Sequence, residues 1–115
     1  MKLYVFNTLV IPVNFDEQEE VQIKTRRVSL EEAREIVREA KEQGALESAV
    51  GHQGSAELLT SLLGVEIPFQ RRTVYMQKGD RGLHLFLKQR LPEGVVLSRE
   101  ELEKLSFWLM LSEIE

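Results

Sequence analysis

Residues 29–44, SLEEAREIVREAKEQG, constrain the fold more than any other stretch of the chain. Ser29 and Glu32 stand at capping-box spacing, Gly44 ends the run, and Leu30, Ala33, Ile36, Val37 and Ala40 recur at helical intervals on one side. A helix with a single apolar stripe has to lay it on another layer of structure. Its other side pairs Glu31 with Arg34 and Glu35 with Arg38, an i,i+3 pattern that reads as a wetted face without function.

The strands needed for that second layer are legible on both sides of the helix. KLYVF, residues 2–6, is rich in β-branched and aromatic residues, and reads as a strand buried on both faces and therefore central. Asn7 and Thr8 then lie at its C-terminal end, where ligands collect in open α/β sheets. VQIKTRRV, residues 21–28, alternates with period two, as a strand with one wet face does. Leucines 58, 59, 62 and 63 mark a short second helix that stops at Gly64.

RRTVYMQKGDRGLHLFLKQR, residues 71–90, reads as a β-hairpin turning at Gly79, Asp80 and Gly82. Leu83, Leu85 and Leu87 then point one way, and His84, Phe86, Lys88 and Arg90 share the other face, where His84 reads as a solvated strand residue. Ser98 and Glu101 repeat the capping-box spacing and open a third helix, and SFWLMLSEI closes the chain as a strand. The order β-β-α-α-β-β-α-β predicts an α/β (α+β) fold, a mixed β-sheet of about five strands flanked by helices, with residues 1–115 as a single domain.

No apolar run approaches the roughly 20 residues needed to span a bilayer, and Asn7 and Pro12 interrupt the N-terminus before it could serve as an export signal. Cysteine is absent, as a reducing compartment permits, so the expected location is the cytoplasm. A net charge of -4 argues against wrapping long nucleic acid. That charge is unevenly spread: residues 68–94 hold Arg71, Arg72, Lys78, Arg81, Lys88 and Arg90 against Asp80 and Glu93, an imbalance suited to a small anionic ligand. With two histidines and no cysteine there is no zinc set, and P-loop, GxGxxG and HExxH motifs are missing, so no metal or other cofactor is expected.

SAVGHQGSAELLTSLLGV, residues 48–65, sets His52 between Gly51 and Gly54 at the start of the second helix. Amides that open a helix are donors suited to an anion such as phosphate. A helix N-terminus disfavours an imidazolium and a bound phosphodiester favours it, which would couple proton donation by His52 to occupancy of the site. Arg71, Arg72 and Arg90 carry the guanidinium fork that pairs bidentately with phosphate, although each alone reads equally as an edge-strand arginine keeping a sheet soluble. Taken singly, His52 also reads as a surface cap, and Glu93, beside a turn glycine, as polar surface. Phe86 fits a core, an interface or a platform for a base.

In sequence order, SAVGHQGSAELLTSLLGVEIPFQRR followed by KQRLPEGVVLSREEL resembles the viral ring nuclease family, small type III anti-CRISPR proteins of archaeal viruses and bacteriophages with bacterial and CRISPR-associated relatives. The likeness runs from LYVFNTLV to the end of the chain, is closest between Ser48 and Leu102, and is not matched motif by motif across Asp16 to Gln43. It implies a metal-independent ring nuclease, a homodimer that holds cyclic tetra-adenylate across its two-fold axis. The implied products are linear di-adenylate ending in 2′,3′-cyclic phosphate, so that the type III CRISPR ancillary defence is switched off. By the same resemblance His52, Arg90 and Glu93 are the catalytic residues, and Asn7, Gly51, Ser55 and Arg71 bind substrate. Two departures stand out: the hydroxyls that follow the family histidine are reduced to Ser55, and Phe86 replaces a polar residue of some relatives. Readings from other classes are a non-catalytic cyclic-oligoadenylate-binding sponge and a small viral nucleic-acid-binding protein.

Overall fold

The computed structural model describes residues 1–88 and 106–115. The elements in chain order are β1 (Leu3–Phe6), β2 (Ile23–Val28), α1 (Leu30–Glu42), β3 (Leu46–Ser48), α2 (Gln53–Leu63), β4 (Arg81–Leu87) and β5 (Phe107–Ile114). The strands form one mixed sheet in the order β2-β5-β4-β1-β3. β1 runs parallel to both β3 and β4, while β5 runs antiparallel to β4 and β2. The expected α+β arrangement is present, with β1 interior and buried along its length.

The helices cover one face of the sheet. There Leu3, Val5, Leu83, Leu85, Leu109 and Leu111 pack against the apolar stripes of α1 and α2. Ser29 Oγ caps α1 by accepting the Glu32 amide at 3.1 Å. Gly64 ends α2 at a φ of 70°, a left-handed conformation that glycine adopts at little cost, and its amide returns to the Thr60 carbonyl. Leu59 lies at the centre of this layer, and truncating it to alanine would cost about 2–5 kcal/mol. Arg34, exposed on the wetted face as expected, also donates from Nε to the Leu62 carbonyl at 2.7 Å. A cation at the last turn of α2 is electrostatically favourable and ties the two helices together.

The hairpin expected across residues 71–90 does not form. β1 and β5 take both edges of β4, so residues 71–77 have no place beside it. Met76 pairs instead with the loop after β1: its amide donates to the Pro12 carbonyl at 2.8 Å, and its carbonyl accepts the Asn14 amide at 2.9 Å. The tight turn exists for a different reason. Asp80 accepts the Lys2 amide on Oδ1 at 3.0 Å and the Gln77 amide on Oδ2 at 2.8 Å, which pins the entry to β4 against the start of β1.

This rerouting corrects the reading of His84. Val74 and Met76 form a second apolar cluster with Tyr4, Phe6 and Ile114 on the face away from the helices. His84 lies within that face at 0% exposure and is not solvated. Phe86 and Lys88 on the same side of β4 are exposed, with Phe86 stacked on Trp108 at 5.4 Å and Lys88 Nζ over the same indole at 4.5 Å. β2 is an edge strand whose only buried residue is Val28. β3, three residues without alternation, was not anticipated. The expected third helix from Ser98, together with Arg90 and Glu93, lies outside the described residues.

Candidate functional site

Two neighbouring parallel strands bring the site together. β1 and β3 are in register at Val5 and Ser48, so the residues two beyond each, Asn7 and Val50, leave the sheet side by side. Asn7 Oδ1 then accepts the Gly51 amide at 3.3 Å, and the Ala49 amide donates to the Val5 carbonyl at 2.9 Å. Gly51 and His52 are thereby held at the C-terminal end of β1, where Asn7 is half-buried.

The segment after α2 supplies the arginines. Its path is fixed by Ser48 Oγ, which donates to the Pro68 carbonyl at 2.7 Å, and by the Gln70 amide, which donates to the Val50 carbonyl at 2.9 Å. Arg71 then crosses directly over Gly51: a β-carbon at that glycine would sit 3.3 Å from Arg71 Cγ. Arg72 turns the other way, donating from Nε to the Ser48 carbonyl at 3.0 Å and from a terminal nitrogen to Glu47 Oε2 at 2.9 Å. That contact holds the Glu47 carboxyl below its ordinary range, chiefly through the hydrogen bond from Arg72. Arg72 is thus a brace, and Arg71, exposed like it, lies over Gly51, the residue before His52.

His52 is the N-cap of α2, with extended backbone. Its Nδ1 accepts the Ser55 amide at 3.2 Å and lies 3.3 Å from Ser55 Oγ. An amide can only donate, so Nδ1 carries a lone pair in this arrangement and Nε2 is the nitrogen that bears the proton. The ends of the two helices differ in charge. α1 has Glu31 and Glu32 in its first turn, and Glu32 pairs with Arg26 at 2.5 Å, whereas the first turn of α2 holds no acid. The partial positive charge of the α2 N-terminus is not offset from within its own first turn.

Beside Asn7 opens a cleft of about 250 Å³, lined among others by Thr8, Val10, Ala49, Arg72, Thr73 and Val74. His84 contacts two of its lining residues, Thr8 and Phe6. Nδ1 of His84 is 3.2 Å from the Thr8 carbonyl and Nε2 is 3.0 Å from Ser112 Oγ, which in turn is 2.8 Å from Thr25 Oγ1. A carbonyl only accepts, so Nδ1 of His84 carries the hydrogen, the reverse of His52. Burial holds the His84 imidazole below its ordinary pKa of 6.5, with the Thr8 hydrogen bond opposing. Phe6 stacks on the ring at 5.1 Å.

Of the residues singled out from sequence, Asn7, Gly51, His52, Ser55 and Arg71 meet at this one corner. Arg90 and Glu93 lie outside the described residues. Sequence reasoning missed Thr73 and Val74 as cleft walls and His84 as a contact of the lining residues, because only the rerouted 68–77 segment places them there. Among the described residues no three His, Cys, Asp or Glu side chains are grouped to hold a metal ion, and no helix is long and apolar enough to cross a membrane.

A family model described as STIV B116-like matches residues 3–109. Protein ORF117 of Acidianus two-tailed virus is 42% identical over 106 residues, covering 91% of this chain and 86% of its own. Protein 26 of a Sulfolobus islandicus filamentous virus is 35% identical over 113 residues, covering 97% and 91%. Among solved structures, B116 of Sulfolobus turreted icosahedral virus is similar with a TM-score of 0.81 and 26% identity, over 98% of this chain and 99% of that one.

Proposed function

The chain belongs to the STIV B116-like family, and from the chemistry of the corner between β1 and α2 we propose that it is a metal-independent ring nuclease that opens cyclic tetra-adenylate. The observation that carries this reading is the convergence of Asn7, the Gly51–His52 turn and Arg71 at a helix N-terminus that lacks first-turn acid. A phosphodiester is the ligand these groups suit: a guanidinium fork, a histidine and a positive helix end.

In RNA the ribose 2′-hydroxyl is a nucleophile supplied by the substrate, so alignment in line with the scissile phosphate provides much of the rate. No serine or cysteine nucleophile is required. The 2′-hydroxyl gives its proton to water as its oxygen attacks phosphorus, the bond to the 5′ oxygen breaks, and His52 in its imidazolium form gives that oxygen a proton from Nε2. Proton donation of this kind contributes about 10²- to 10⁴-fold in rate. Arg71 binds the phosphate. Arg90 is assigned to charge stabilisation on the phosphate oxygens and Glu93 to holding Arg90 or the ribose, by the resemblance stated above.

A ring of four identical nucleotides contains a two-fold axis, so a homodimer grips it with two copies of one corner and offers two histidines to opposite phosphates. This also reconciles an acidic chain with an anionic ligand, because only the cleft between the copies has to be positive. The test is product chemistry. Mass spectrometry of the ring after incubation in EDTA is expected to show linear adenylates ending in 2′,3′-cyclic phosphate. A 5′-phosphate product, or cleavage only on adding a divalent metal, overturns the reading.

A further inference from the structure

Capping alone does not explain a histidine at the start of α2. Serine, threonine, aspartate and asparagine cap helices well, whereas an imidazole is large and changes charge near neutral pH. The unusual cap is matched by an unusual partner. Ser55, the third residue of α2, is 5% exposed and presents both of its polar atoms to the same ring nitrogen, the amide at 3.2 Å and Oγ at 3.3 Å.

These two atoms behave differently when the ring titrates. The amide can only donate, so it holds the ring only while Nδ1 is a lone pair. A hydroxyl donates or accepts by turning about its Cβ–Oγ bond. Oγ can therefore donate to Nδ1 of the neutral ring and accept from Nδ1–H of the imidazolium.

We propose that Ser55 is a positioning residue that keeps the His52 ring in one orientation through both protonation states, its hydroxyl reversing direction when the ring gains a proton. This reassigns Ser55 from the substrate to the histidine, and it rests on the reading of His52 as the proton donor. A proton donor has to pass through both states in every turnover: imidazolium Nε2–H yields its proton to the departing 5′ oxygen, which leaves the remaining hydrogen on Nδ1 facing Ser55 Oγ, and exchange with water then restores the charged ring. Without Oγ the imidazolium would set its own N–H against the Ser55 amide, donor facing donor, and this cap contact would turn from favourable to unfavourable.

The test compares Ser55→Ala and Ser55→Thr with the unaltered protein, using ¹⁵N-labelled histidine and cyclic tetra-adenylate. In Ser55→Ala the amide still holds the neutral ring, so the Nε2–H tautomer and the thermal unfolding midpoint are expected to stay close to those of the unaltered protein. Once acid converts His52 to imidazolium, its side-chain couplings are expected to depart from those of the cap rotamer in Ser55→Ala and to remain those of that rotamer in the unaltered protein. Turnover is expected to fall about 10-fold with KM unchanged, the loss typical of one hydrogen bond to a charged group, and threonine is expected to restore both readouts. Unchanged turnover with a fixed imidazolium ring overturns the proposal. So does a rise in KM at constant kcat, which would put the hydroxyl on the substrate. If the unaltered protein does not cut the ring at all, the proposed reaction fails, while the rotamer measurement still decides whether Ser55 holds His52 in both states.

Discussion

The Gly51 amide donates to Asn7 Oδ1 at 3.3 Å, joining the end of β1 to the start of α2 across 44 residues. Asn7→Ala leaves that amide without its side-chain partner and frees the turn that carries His52. The expected cost in chemical denaturation is about 1 kcal/mol. Turnover of the ring is expected to fall at least about 10-fold, because small misplacements of a reacting group cost far more than the contact that held it.

Gly51 is needed for clearance and not for an unusual backbone angle, since it is absent from the glycines with positive φ. Gly51→Ala puts a methyl 3.3 Å from Arg71 Cγ, so the arginine has to yield by a few tenths of an ångström. Stability is expected to change little and ring affinity to fall several-fold. The effect of Gly51→Ala with Arg71→Ala is expected to be less than additive, as a double-mutant cycle on ring binding would show.

The two adjacent arginines should separate cleanly. Arg71→Ala is expected to weaken ring binding with the unfolding free energy unchanged. Arg72→Ala loses the contacts to Glu47 and the Ser48 carbonyl, and its pair with Glu47 is partly exposed, so the expected loss is about 1 kcal/mol or less. Titration calorimetry and urea denaturation on the two variants check this division.

His84 makes stability depend on pH. Its folded-state pKa is lowered by burial, so below the ordinary value of 6.5 the unfolded chain binds a proton that the folded chain refuses. Stability from this group is fully present above that value and is lost as pH falls from about 7 toward 5. Urea midpoints at those two pH values are expected to show the loss, and His84→Asn to reduce it. The variant itself is expected to be less stable by about 1–3 kcal/mol, because the Ser112 hydroxyl loses one of its two partners in a buried site.

Elements whose cause is local were legible in the sequence. The Ser29 cap, the stripe of α1, the unbroken apolar run of β1 and the turn at Gly51–His52 depend on neighbours in the chain. The KGDRG turn shows the limit of that reasoning. Its residues do make a turn, but the edges of β4 are filled by β1 and β5, strands from the two ends of the chain. Period-two alternation assigned His84 to a face correctly, yet said nothing of what lies over that face. The family resemblance already preferred Arg71 to Arg72, but the physical reason includes the bond between the Gln70 amide and the Val50 carbonyl, which no local pattern encodes.

The most direct measurement is the rate at which purified protein opens radiolabelled cyclic tetra-adenylate in EDTA, with and without His52→Ala. The expected result is linear product from the unaltered protein and a loss of rate of at least about 10²-fold in the variant, at undiminished stability. Intact ring retained at one per dimer by both proteins would contradict the account and make the protein a sponge. No affinity for the ring, with salt-dependent affinity for duplex DNA, would contradict it in favour of a nucleic-acid-binding protein.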